Sequence, residues 1–238
     1  MRIIDAFWEK QNLGVTAVEF IIEPDDTSEI MPQILCAEKQ YNVVKTPVDK
    51  PGLVALVQEN GYRFIECMSN MAHDLSKTQL ETIKALRIPA ASAVLMDDRD
   101  IEELFREIDK GIFDTNRIYF DPRFQAELSA KRYINWLKND LNKDASLYKV
   151  VFRGKTVGFF ILRILPDYFN PYLIGLYDGC KGLGLTLSIC VLNKCVSLGA
   201  KQVVGDVSTN NLAMIRVNSF LGYNIRNYEY VFVKHNAL

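Results

Sequence analysis

The chain of 238 residues has little histidine, only His73 and His235, and its five cysteines, Cys36, Cys67, Cys180, Cys190 and Cys195, include no C-x-x-C pair. Ligands so few and thiols so unevenly spaced exclude a zinc site or a disulfide framework as the organising device, and no metal is expected. An excess of one charge is missing too. With 28 Lys+Arg against 29 Asp+Glu the net charge is -1 at pH 7, which gives no electrostatic reason for nucleic acid or an anionic membrane as a main partner. Long apolar runs are absent: the longest, around Leu183 to Val196, carries Asn193 and Lys194, and Met1-Arg2-Ile3-Ile4-Asp5 lacks the apolar core of a secretion signal. No membrane partner is therefore expected, and a cytoplasmic location is. Nor does a repeat with a period of about 20 to 50 residues occur, so the chain reads element by element. What is present, 49% hydrophobic and 24% charged residues, is the profile of a globular protein able to bury a sizeable core.

Strand and helix signals alternate. Thr16 to Ile22, Asn42 to Thr46, Tyr62 to Met71 and Ala91 to Met96 read as strands. A capped helix follows Asp26-Thr27-Ser28, and a second begins at Pro51 and ends at Gly61. Ile101, Leu104, Phe105 and Ile108 put an apolar stripe on a third, stopped by Gly111. Turn chemistry from Phe113 to Phe124 suggests a linker, with a boundary near residue 112 between an N-terminal α/β domain (1–112) and a second domain (113–238). Beyond it come a helix to Leu141 and a hairpin, Ser146 to Phe152 and Thr156 to Leu165, closed by Arg153-Gly154-Lys155.

The most informative segment is the strand Tyr172 to Leu176 running into Asp178-Gly179-Cys180-Lys181-Gly182-Leu183-Gly184 and a long helix to about Leu198. Glycines between strand and helix let backbone amides approach phosphate oxygens, with the positive end of the helix dipole behind them. A Walker loop fails because the lysine precedes the second glycine, and a dinucleotide fingerprint fails because its last glycine would fall at Leu187. The bland alternative is that Gly182 and Gly184 only let helix and sheet pack closely. Then come the strand Gln202 to Val207, Ser208-Thr209-Asn210-Asn211, a short helix ending in Leu221-Gly222-Tyr223, and a tyrosine-rich strand through Val233.

This order, with Lys181-Gly182-Leu183-Gly184 and Asn211-x-x-Met214-x-x-x-Asn218-x-x-Leu221-Gly222-Tyr223 in it, resembles the GCN5-related N-acetyltransferase (GNAT) superfamily over about residues 120 to 235. The N-terminal part, together with Asp121-Pro122-Arg123-Phe124 and the helix carrying Arg132, Tyr133 and Trp136, resembles the dTDP-fucosamine acetyltransferase type more narrowly. The resemblance implies an α/β (α+β) GNAT fold, a mixed central sheet flanked by helices, with the additional N-terminal α/β domain. It implies acetyl-CoA as co-substrate and direct acetyl transfer to a small primary amine, an amino-sugar nucleotide being the favoured class. Cys180, Lys181, Gly182, Leu183 and Gly184 would hold the pyrophosphate, backbone at Ile174 and Leu176 the pantetheine arm, Asn211 would face that arm, and Asn218 is counted with the cofactor-binding residues.

Two residues depart from the family pattern. Gly179 occupies the usual Gln/Arg slot of the loop, and Asn218 stands where many members carry a tyrosine that protonates the thiolate. Asparagine cannot supply a proton at neutral pH. Tyr177 and Asp178 are accordingly named with Asn218 as catalytic candidates, with Asp206 and Tyr168 behind them. The competing expectation is a degenerate GNAT-fold protein that binds CoA or scaffolds a partner without catalysis. An amino-acid or peptide acceptor, and a homodimer, stay open.

Overall fold

The computed structural model describes residues 1–75, 88, 90–141 and 145–236. Their strands form one ten-stranded sheet in the order β1-β2-β3-β10-β4-β9-β8-β7-β6-β5. In chain order the strands are β1 (Arg2–Asp5), β2 (Ala17–Ile21), β3 (Tyr41–Pro47), β4 (Arg63–Asp74), β5 (Ala91–Leu95), β6 (Ser146–Phe152), β7 (Lys155–Ile164), β8 (Phe169–Leu176), β9 (Gln202–Ser208) and β10 (Asn224–His235). The helices are α1 (Glu9–Leu13), α2 (Met31–Leu35), α3 (Pro51–Glu59), α4 (Asp98–Asp109), α5 (Arg117–Phe120), α6 (Glu127–Leu141), α7 (Gly184–Ser197) and α8 (Leu212–Phe220). None of the described helices is long and apolar enough to cross a membrane.

Local chemistry accounts for most element ends. Asp97 and Asp100 form a capping box at the start of α4, each side chain accepting from the other's backbone amide. Asn116 caps α5 by accepting from Ile118 and Tyr119. The β6–β7 turn needs two residues with positive φ, and Arg153 (51°) and Gly154 (78°) supply them. The expected helix after Ser28 is short: a 3-10 turn, Ser28–Ile30, leads into the five residues of α2, with Pro32 near its start.

The strand order conceals an internal two-fold plan. β1 pairs antiparallel with β2 as β7 does with β8, and β2 pairs parallel with β3 as β8 does with β9. Each parallel pair is joined through a helix, and a further helix leads to a twelve-residue strand, β4 or β10. These two long strands are exchanged. β10 lies against β3 over seven pairs, β4 lies against β9 over seven pairs, and β4 and β10 pair with each other at the centre. The same turn closes each half before the exchanged strand, with Gly61 (φ 82°) ahead of Tyr62 and Gly222 (φ 87°) ahead of Tyr223.

Residues 91–109 lie on the N-terminal side of the boundary expected at 112, yet β5 pairs with β6, and Leu104 and Ile108 of α4 belong to the core around β7, β8 and α7. The expected linker 113–124 contains α5, whose Ile118 is fully buried against Val43 and Val231. Apolar periodicity reports that a segment is buried, not which neighbour buries it.

Candidate functional site

β8 and β9 separate. Their only registered pair is Phe169 with Val203, whereas β2 and β3 stay paired over five residues from Ala17–Tyr41 to Ile21–Lys45. The geometry of β8 explains the difference. The register against β7 slips between Ile161–Leu173 and Leu162–Pro171, so Tyr172 is an extra residue, a bulge that bends its strand. Pro171, just before it, brings no amide to a ladder. Tyr172 is anchored to α6 and β7: its hydroxyl donates to Asp140 Oδ2 at 2.6 Å and the Arg163 guanidinium lies 4.5 Å from its ring centre. Asn170 Nδ2 still donates to the Val204 carbonyl at 2.7 Å, which places the vertex of the opening next to Pro171 and Gly205.

The glycine turn stands at the mouth of this opening. Gly179 (φ 75°) has a conformation that disfavours the Gln or Arg of the family pattern. Asp178 accepts from the Gly179 amide at 2.9 Å, and its own amide donates to Glu107 at 2.8 Å. Cys180 is buried under the turn. Lys181–Leu183 form a 3-10 turn in which Leu183 is the first residue to donate back, to the Cys180 carbonyl at 2.9 Å, and α7 begins at Gly184. The amides of Lys181 and Gly182 precede that first bond and sit at a helix start, where donors lack acceptors within the helix. No atom lies within 4 Å of where a Cβ on Gly182 would stand. An exposed lysine, free amides and open space suit a pyrophosphate.

Other candidates fall differently. Tyr177 is buried, and burial, with Glu103 and Glu107 adding, holds its phenol protonated well above the usual range. Its ring packs 6.5 Å from that of Phe159. Asn211 caps α8 by accepting from the Met214 amide at 3.1 Å. Asn218 is buried with Nδ2 3.7 Å from Met71 Sδ. Ile174 and Leu176 lie on β8 beyond the vertex. The turn and the β8 edge are thus together, while Tyr177, Asp178, Asn211 and Asn218 are each engaged in packing or in turn and cap bonds. A cavity of about 570 Å3 bounded by Ala93, Cys190, Asn193, Lys194 and Ser197 lies between β5 and the far end of α7 from the glycine turn.

Residues that the sequence reading passed over lie on the other side of the sheet. Arg117 of α5 is buried and ion-paired with Glu19 of β2 and with Glu9, which Arg132 of α6 also holds, at 2.7 Å. Burial opposes ionisation of Glu19, but Arg117 and Lys45 outweigh it and hold the carboxyl well below the usual range. Glu66 of β4 is buried nearby. No local motif marks it, because its surroundings come from strands distant in sequence.

No protein-family model and no curated protein matches the chain. Solved structures do, at low identity. A GCN5-related N-acetyltransferase from Sphaerobacter thermophilus is 13% identical with a TM-score of 0.57, over 82% of this chain and 59% of that one. A tandem GNAT protein from the clavulanic acid biosynthesis pathway is 14% identical, TM-score 0.58, over 93% and 76%. A functionally unknown conserved protein from Staphylococcus epidermidis is 13% identical, TM-score 0.61, over 93% and 85%. The chain spans about three fifths of the length of the first of these.

Proposed function

With a GNAT-type mixed α/β fold as the premise, we propose that the protein is an acetyl-CoA-dependent N-acetyltransferase acting on a small primary amine. The observation that carries this reading is the parallel pair β8–β9, joined at one residue and open beyond it, with the glycine turn at its mouth. A parted parallel pair leaves unpaired backbone edges that an extended, amide-bearing arm can complete. Acetyl-CoA would bring such an arm, a pyrophosphate and a thioester acyl donor. The edge at Ile174 and Leu176 would hold the arm, and the amides of Lys181 and Gly182, with the Lys181 side chain, the pyrophosphate. Asp178 and Cys180 shape the turn.

The buried, protonated Tyr177 retains its proton through neutral pH. It is the candidate donor to a leaving thiolate in place of Asn218, whose amide faces a methionine sulfur. An amino sugar carried on a nucleotide is the acceptor class that the narrower sequence likeness favours; that likeness rests on the sequence alone.

Thermal melts titrated with acetyl-CoA, CoA and ATP test the reading. A ligand of the folded state raises Tm. Acetyl-CoA and CoA are expected to raise it and ATP not to. No shift with either form of CoA would contradict it.

A further inference from the structure

The exchange of β4 and β10 gathers carboxylates from both halves on the face beneath α5 and α6. Lys45 opposes Val231, which opposes Glu66; Glu229 opposes Met68, which opposes Ser208; Asn70 opposes Asp206. Residues directly opposed in a sheet point to the same face. Val231 lies in the core with Ile118 and Leu128 of α5 and α6, so this face is theirs. Glu66, Glu229 and Asp206 therefore share it, on β4, β10 and β9, and β9 borders the opening to β8.

Glu66 is the unusual member. It is 6% exposed, and its Oε2 has no partner among the described residues. Burial pushes its pKa up despite Arg117, Lys45 and Arg132. Burial also pushes Glu229 up, and Asp206 adds to that. The three cations are already engaged, Arg117 and Arg132 with Glu9, Arg117 and Lys45 with Glu19. Arg2 also acts on Glu229, and Asp206 accepts from Asn70 Nδ2 at 2.7 Å, so Glu66 Oε2 is the carboxylate oxygen of this group that stays without a partner among the described residues. A buried acceptor without a donor costs free energy that a ligand's ammonium would recover. Aromatic rings join this spot to β8. Tyr133, close enough for Glu66 to raise its pKa, lies 4.2 Å from Phe113 between ring centres, and a methyl group on Gly175 would meet Phe113 at 3.3 Å. Such rings also favour a cation.

We infer that the acceptor is a cationic amine bound at this seam, its ammonium held by Glu66 with Asp206 and Glu229 lining the approach. The inference rests on the acyl-transfer reading and, in place of the nucleotide-linked amino sugar that the sequence likeness favours, assigns an amine without an attached diphosphate. The acceptor subsite serving the open half is then built in part by a strand of the other half.

Melts of the full chain at about pH 8, with cadaverine or ε-aminocaproate at about 10 mM, test it. Cadaverine is expected to raise the Tm of the unsubstituted protein and ε-aminocaproate to raise it less. Glu66→Gln should lose the cadaverine shift and by itself melt higher by about 3 °C, because a buried charge has been removed. Asp206→Asn, at an exposed position, should keep the parent Tm and show a smaller shift. No cadaverine shift in the parent protein, an equal shift in Glu66→Gln, or a Glu66→Gln protein that melts lower would overturn the proposal. Acetyl-CoA titrated in parallel should bind all three proteins alike. Its failure to bind the parent would remove the acyl-transfer reading while leaving the amine result to be read by itself.

Discussion

The two halves of the sheet share a plan and differ at one joint. In the C-terminal half the parallel pair β8–β9 parts after a single registered pair; in the N-terminal half β2–β3 stays paired over five. The connections differ in the same sense. Gly179 to Gly184 leads into a helix of fourteen residues, while Glu23-Pro24-Asp25-Asp26 leads into a 3-10 turn and a helix of five. Carboxylates where phosphate would have to sit repel it, and a short helix adds little dipole. A bulge and a proline in one strand thus separate an open parallel pair from a closed one. What the closed half contributes is β4 and the ion cluster under α5.

The largest expected effect tests that seam. Arg117→Met leaves Glu19 and Glu9 buried with a charge removed from between them, and should cost about 3–5 kcal/mol in urea unfolding. A loss under 1 kcal/mol, by the same order-of-magnitude reckoning, would mean that the cluster does not tie the halves together. Next is Gly182→Glu, whose Cβ would meet nothing within 4 Å but which puts a negative charge at the proposed pyrophosphate position. It should weaken acetyl-CoA binding by at least about 100-fold in calorimetry, with an unchanged melt. The same ligand affinity in mutant and parent would make the turn structural only.

Glu19→Gln should cost about 2 kcal/mol near neutral pH. The Glu19 carboxyl is held below its unfolded value, so its contribution is present above that value and is lost as the pH falls through the folded one. The gap between mutant and parent should therefore close on acidification below about pH 4 in pH-dependent melts. The smallest effect compares matched turns. Gly61→Ala and Gly222→Ala both force a side chain onto positive φ, and each should cost about 1 kcal/mol. Very unequal costs would argue that the two turns are not equivalent.

Much of this was legible locally. Alternation placed β2, β3, β4 and β5, and glycine stops placed the ends of α3 and α4, because these features depend on neighbours in sequence. The strand, glycine turn and helix around Gly179–Gly184 were legible for the same reason, and the anion at that turn is the part that the proposal adds. The two-fold plan could not, since the halves share topology with few residues in common; Gly61-Tyr62 and Gly222-Tyr223, and Val43-Val44 and Val203-Val204, are its faint traces. Glu66 was invisible because its surroundings come from β10 and β9 on either side of its strand and from Arg117 of α5, all distant in sequence. The bulge at Tyr172 likewise exists only as a register against β7.

The proposal that one half takes up a coenzyme and the other does not is tested most directly by amide hydrogen exchange with and without acetyl-CoA. The account predicts added protection at Ile174 to Gly184 and none at Ala17 to Ile21 or Tyr41 to Thr46. Protection appearing in β2 and β3, or nowhere in the β8 edge and glycine turn, would contradict it.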